Sequence, residues 1–147
     1  MKCIYCEHKQ TSVVNSRKGK GQEDVWRRRS CEGCKQVFTT TESFSYDSLF
    51  VVKRNLTRKR FMYEKLFASI LMATLGEKDT DMGDMATFSK QITEKVVKDL
   101  FLFNSKYVST KDIIKSTYHQ LSLSNDFFAK KYAMYSRYRL YVIQGKN

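Results

Sequence analysis

The four cysteines of this 147-residue chain fall in two pairs, Cys3-Ile-Tyr-Cys6 and Cys31-Glu-Gly-Cys34. Each Cys-x-x-Cys pair offers two thiolates from one tight turn, and four together complete a closed tetrahedral zinc site. Twenty-four residues separate the pairs, somewhat more than is usual for this pattern. The polar, glycine-bearing stretch Arg17–Asp24 absorbs the excess as a hairpin loop. The same cysteines are open to two other readings, a pair of disulfides or a redox couple. The N-terminus enters the first pair at once, with none of the apolar segment a secretion signal needs, which tells against disulfides. Redox chemistry needs one pair rather than two. His8, two residues beyond Cys6, is a surface histidine on this reading rather than a replacement ligand. A four-thiolate site has no open position for a substrate water, so the expected metal role is structural. Residues 1–44 bury little apolar surface, and metal binding should supply much of their folding free energy.

Two basic clusters could bind anions. Trp26-Arg27-Arg28-Arg29 lies next to the second cysteine pair, and strand alternation puts Arg27 and Arg29 on one face and Trp26 and Arg28 on the other. Arg17, Lys18 and Lys20 sit on the loop before it. Such a patch neutralises phosphates, and an arginine in it can pair bidentately with guanine; a merely solvated basic strand is the alternative. The second cluster, Lys53-Arg54-Asn55-Leu56-Thr57-Arg58-Lys59-Arg60, holds five cations in eight residues and no acid, and Lys65 follows on the next helix. Cations converging from a hairpin and a first helical turn suit a compact polyphosphate, although an exposed hairpin would look the same. No Walker-type glycine-rich loop is present. His119 is isolated, and no nucleophile–base or paired-carboxylate arrangement stands out. Tyr132, Tyr135, Tyr138 and Tyr141, three apart, suggest one helix face used for packing or a subunit contact.

The elements that must carry these groups divide near residue 45, where the cysteines end and the hydrophobic period changes. Thr11–Asn15, Val25–Ser30 and Gln36–Thr41 are β-leaning. Leu49–Arg54 and Arg58–Phe61 form a strand pair about an Asn55-Leu56-Thr57 turn. Helical spacing follows in Leu66, Phe67, Ile70, Leu71 and Thr74, with Gly76 as C-cap, and in Met85, Phe88, Ile92, Val96, Leu100 and Phe103. Ser109 and Asp112 form a capping box ahead of Ile113, Ile114, Thr117 and Leu121. Ser124 or Asn125 caps a last helix running through Phe127, Phe128, Ala133 and Tyr138. The expected class is α+β: a small β-rich zinc module over 1–44, a mainly helical domain with an N-terminal β-hairpin over 45–139, and a tail over 140–147.

Composition agrees with a folded, anion-binding protein. Hydrophobic residues make up 41% and aromatics 14%, enough for a core. Lys plus Arg outnumber Asp plus Glu 27 to 15, a net charge of +12 that favours a polyanionic partner. No stretch approaches the ~20 consecutive apolar residues of a membrane span, and a cytoplasmic location is expected.

In order along the chain, Cys3-x-x-Cys6, Val13-Val14-Asn15-Ser16-Arg17, Arg27-Arg28-Arg29-x-Cys31-x-x-Cys34, Phe38-Thr39-Thr40-x-Glu42, Val51-Val52-Lys53-Arg54, Phe61 and Glu64-Lys65-Leu66 resemble the bacterial NrdR-type repressors of ribonucleotide reductase genes. The likeness extends over roughly residues 3–139. It implies a DNA-binding zinc ribbon followed by an ATP-cone that binds ATP or dATP, with nucleotide-dependent oligomers engaging double-stranded operator DNA. It implies Cys3, Cys6, Cys31 and Cys34 as ligands of one structural zinc, and Arg17, Arg27, Arg28 and Arg29 as DNA contacts. Lys53, Arg54 and Lys65 become the phosphate contacts. It also implies a bacterial, cytoplasmic protein that joins the nucleoid when bound to DNA, with no enzymatic activity. The other reading is a zinc-ribbon and ATP-cone interaction module that senses nucleotide without an operator. Departures from the family pattern are Asn15 for Asp, Asn55-Leu56 for Asp-Gly, Lys59-Arg60 for the Glu-Pro before Phe61, and Ser136 for Tyr. The Lys59 change reverses a charge near the expected nucleotide site.

Overall fold

The structure, a computed structural model, describes residues 1–19, 24–46, 48–75, 81–102 and 105–145. It divides into two compact units, Met1–Ser45 and Tyr46–Asn147. The expected positions Lys20, Gly76 and Phe103 lie outside the described residues.

The first unit is an antiparallel sheet of β1 (Thr11–Lys18), β2 (Val25–Cys31) and β3 (Val37–Glu42), with β2 central. β1 runs farther than its composition suggests. Arg17 pairs with Trp26 and Lys18 with Val25, and the Gly19 amide reaches the Asp24 carbonyl at 2.7 Å. Arg17 and Lys18 therefore belong to the strand rather than to the loop, because cross-strand pairing outweighs their weak β preference. A register shift between Val13 and Asn15 bulges β1 at Val14. The buried cluster of this unit is Cys3, Cys31 and Phe38. So small a core leaves most of the cohesion to whatever joins the cysteines.

The second unit begins with β4 (Phe50–Val52) and β5 (Arg58–Arg60), an antiparallel hairpin. Its turn departs from the expected outline. Lys53 and Arg54 leave the strand, the Leu56 amide bonds the Lys53 carbonyl at 2.9 Å, and the Lys53 amide bonds the Thr57 carbonyl at 2.9 Å. Leu56 adopts a left-handed φ of 61° and is 80% exposed, so a residue that pays the Cβ penalty sits where glycine fits best. The Asn55 Oδ1 accepts from the Thr57 amide and hydroxyl, which holds the turn.

Five helices follow: α1 (Tyr63–Thr74), α2 (Met82–Leu102), α3 (Thr110–Ser124), α4 (Asp126–Met134) and α5 (Arg137–Ile143). A third strand, β6 (Tyr107–Ser109), pairs parallel to β4 and gives the sheet order β5-β4-β6. Ser109 then serves twice, as the last strand residue and as the N-cap of α3. Its hydroxyl accepts from the Asp112 amide at 3.1 Å, and the Asp112 carboxylate accepts the Ser109 amide at 2.9 Å. The core joins Leu49, Leu66, Ile70, Ile92, Val96, Leu100, Val108, Leu121, Tyr132 and Val142. Buried threonines turn their hydroxyls back on the helices: Thr93 to the Ser89 carbonyl and Thr117 to that of Ile113.

The last expected helix is two helices. Asn125 caps α4, accepting from the Phe128 amide at 3.2 Å, and α4 ends at Met134. Ser136 then caps α5 through the Arg139 amide at 3.1 Å. Ser136 breaks the helix because its side chain satisfies a free amide only in an extended conformation. The four tyrosines consequently do not share a helix face: Tyr132 is buried on α4, Tyr135 lies in the break, and Tyr138 and Tyr141 are on α5. α5 continues to Ile143 and buries Val142, so the helical unit continues past residue 139 into the stretch expected to be a tail.

Candidate functional site

The two cysteine turns have one backbone design. The Glu7 amide bonds the Cys3 carbonyl at 3.0 Å and the Lys35 amide bonds the Cys31 carbonyl at 3.1 Å. The Cys3 amide then bonds the His8 carbonyl at 2.9 Å, and the Cys31 amide that of Gln36 at 3.0 Å. The four thiols converge, all within 4.8 Å of one another. Cys3 and Cys34 Sγ are 3.7 Å apart, and Cys6 and Cys31 Sγ are 3.6 Å apart. A tetrahedron with zinc–sulfur bonds of ~2.3 Å has edges of about 3.8 Å, so the four sulfurs fit that ion. The Cys34 amide points at the Cys31 sulfur and, against burial, holds that thiol down to about 6, helped by the Gly33 amide and the Cys6 and Cys3 thiols. At Cys34 the Gln36 amide pulls the other way, yet burial and the thiols of Cys6, Cys31 and Cys3 push it up to about 12. Thiols this close ionise together only around a cation. When bound, zinc supplies a cross-link between the two turns. His8 is exposed, outside the thiol cluster, with its ring against Gly33; a Cβ there would lie 3.0 Å from the His8 Cγ.

The sheet sorts the four arginines onto two faces. Arg27 and Arg29 share one. Arg27 meets Glu42 with its fork, Nε 2.9 Å from Oε1 and Nη2 2.9 Å from Oε2, and Arg29 Nε donates to the Thr40 hydroxyl at 3.1 Å. The Arg27 hydrogen bond holds the Glu42 carboxyl below its ordinary value, against some desolvation. Arg17 and Arg28 lie on the opposite face with Trp26, Asn15 and Thr39, and both are exposed. Arg28 and Arg17 thus present charge outward beside an indole, while Arg27 and Arg29 also tie β2 to β3.

In the second unit a cavity of about 410 Å³ opens between the hairpin and helices. Lys53, Arg54 and Lys65 all line it, together with Lys59, Arg60 and Arg139. Apolar walls come from Val51, Phe61, Leu66, Ile113 and Ile114. Arg54 lies over the Tyr138 ring at 4.1 Å, and Arg139 over the Tyr132 ring at 4.1 Å with Nη2 2.7 Å from the Ser69 hydroxyl. Burial pushes the Tyr132 phenol above its ordinary value, opposed by the Arg139 charge and by the Thr117 and Ser69 hydroxyls. Met62, a lining residue, is the N-cap of α1 and offers no side-chain cap to its first amides. The arrangement can hold a polyanion at its cationic end and a planar apolar group between aromatic and aliphatic walls. Arg139 was not among the expected residues. It stands 74 positions after Lys65, and only the break at Ser136 turns it inward.

Residues 1–42 match the family model described as "Transcriptional repressor NrdR-like, N-terminal domain", and residues 49–140 match that of the ATP cone domain. The chain's relatives include three that carry the name Transcriptional repressor NrdR. One from Streptococcus thermophilus is 38% identical over 73 residues, 50% of this chain and 46% of the relative. One from Streptococcus suis is 34% identical over 96 residues, 65% of this chain and 58% of the relative. One from Roseiflexus castenholzii is 40% identical over 73 residues, 50% of this chain and 48% of the relative. The chain spans about half the length of the curated relatives it matches. Among the described residues no helix is long and apolar enough to cross a membrane. With both segments matched in order, the chain belongs to the NrdR-like family, a zinc ribbon followed by an ATP cone.

Proposed function

We propose that this protein is a zinc-dependent, ATP- or dATP-responsive transcriptional repressor of ribonucleotide reductase genes, binding operator DNA as an oligomer and catalysing no reaction. Cys3, Cys6, Cys31 and Cys34 hold one zinc, which fixes the β1–β3 sheet. Arg17 and Arg28 contact DNA outward, and Arg27 and Arg29 add charge from the other face. Lys53, Arg54 and Lys65 bind the triphosphate, joined by Arg139. The observation that carries the reading is the cavity lined by Lys53, Arg54, Lys65 and Arg139 beside two aromatic rings, in the same chain as a four-thiol cluster.

Nucleotide identity sets the assembly, and the assembly sets whether several ribbons reach spaced DNA sites together. Joining weak modules on one body raises the effective concentration for each later contact. The coupling is reciprocal, so operator DNA tightens the nucleotide of the repressing state. The test is DNA binding to a ribonucleotide reductase promoter with ATP and with dATP, alongside size measurement in each. Nucleotide-dependent affinity with a steep salt slope supports the reading. Equal binding to any duplex, with or without nucleotide, sinks it.

A further inference from the structure

We propose that the cavity takes its nucleoside triphosphate free of divalent metal. This rests on the nucleotide reading above and specifies the ionic form of the ligand. Six cationic side chains line it: Lys53 and Arg54 from the hairpin turn, Lys59 and Arg60 from β5, Lys65 from α1 and Arg139 from α5. Lys59 pairs with Val51, itself a lining residue, and so shares the cavity face of the hairpin; Arg60, which pairs with Phe50, lines the cavity as well. None of the six forms an ion pair with a described residue.

The lining contains no carboxylate among the described residues. Glu64, next to Lys65, is outside it, and Asp112, close to the lining residue Thr110, is committed to the α3 capping box. Magnesium keeps several waters among its six oxygen ligands and is ordinarily held by one or two carboxylates besides the phosphates. Here the side-chain oxygens are the hydroxyls of Ser69, Thr110, Tyr132, Ser136 and Tyr138. Charge leads to the same conclusion. A triphosphate carries roughly four negative charges at neutral pH, which the six lining cations more than offset. Its magnesium complex carries half as many and would place a dication among ammonium and guanidinium groups. Lysines and arginines here do the neutralising that a metal does elsewhere. A sensor of this kind reads the uncomplexed triphosphate, and magnesium competes with the protein for it.

The experiment is calorimetric titration of the zinc-loaded full chain with ATP, first in buffer freed of divalent cations on a chelating resin, then with excess magnesium chloride. Magnesium is expected to weaken binding by about tenfold. Equal or tighter binding with magnesium overturns the proposal while leaving nucleotide binding intact. Absence of binding in both media overturns the nucleotide reading and this inference with it. Lys59→Glu separates charge from folding. It should weaken metal-free ATP more than the magnesium complex and so narrow the difference, whereas an equal loss in both media would overturn the charge argument.

Discussion

Glu7 and Lys35 occupy the same place in the two cysteine turns: each follows the second cysteine of its pair, and their φ angles are 57° and 62°. Left-handed backbone costs an L-residue about 1–2 kcal/mol, and glycine avoids it while losing ~0.5–1 kcal/mol of chain freedom. Lys35 is exposed, so its side chain contributes no burial. Lys35→Gly should therefore raise the stability of the zinc-loaded first unit by about 0.5–1 kcal/mol, read from its denaturant midpoint. A lower midpoint would show that the lysine side chain makes a contact that outweighs the strain.

Removing the metal should unfold one unit and spare the other. Among the described residues, the buried cluster of the first unit is Cys3, Cys31 and Phe38, whereas that of the second packs sixteen residues. Chelation of the full chain should abolish the β1–β3 signals in an amide NMR spectrum and leave those of α1–α5. Serine at both Cys3 and Cys31 should do the same without chelator. If that double variant keeps a folded, metal-free sheet, the four-thiol site is not what holds the ribbon.

Arg28 and Arg27 are neighbours with different work. Arg28→Ala should weaken operator binding, lower the salt slope by about one unit and leave ATP binding unchanged. Arg27→Ala should also loosen the β2–β3 edge, since it abandons Glu42. The Glu42 carboxyl is held below its ordinary 4.5 by Arg27. Its lowered folded value means the pair stabilises the sheet above about pH 4.5 and that this contribution is lost as pH falls through the lowered value. A carbon-detected titration of Glu42 checks it: Arg27→Ala should return the midpoint toward 4.5, and an unmoved midpoint would remove the ion pair from the account.

Local patterns read correctly from the sequence were those whose cause is local. Cys-x-x-Cys turns, the Ser109–Asp112 capping box and the apolar spacing of α1 and α2 each depend on residues a few positions apart. The misses have distant causes. β6 is three residues long and exists because Val51 offers it a parallel partner 57 positions away. Arg17 became a strand residue through Trp26. The Asn55-Leu56-Thr57 turn, by contrast, forms where the sequence places it, with Leu56 held by the local bond of Asn55 to Thr57. Lys53, Arg54 and Lys65 were legible as a charge cluster; Arg139 was not, because helix spacing alone gave no reason to stop α4 at Met134. Ser136 was visible as a departure from the family pattern, and its capping chemistry was the unused signal.

Arg139 joins three elements of the cavity: it caps nothing itself, but reaches Ser69 on α1 and covers Tyr132 on α4. Lys53 sits on the exposed hairpin turn with no such ties. Their variants should accordingly fail in different ways. Lys53→Ala removes one charge from a polyphosphate, a loss of about tenfold in ATP affinity, with little change in the unliganded melting temperature. Arg139→Ala should lower both, since a half-buried guanidinium leaves the Ser69 hydroxyl and the Tyr132 face without their partner. Arg139→Lys keeps the charge but not the planar fork, and should recover less than half of the lost binding free energy. Calorimetry paired with thermal unfolding distinguishes these outcomes. Should Arg139→Ala melt lower yet bind ATP like the parent, Arg139 is a strut between α5 and α1, and the phosphate contacts belong to the hairpin and α1 alone.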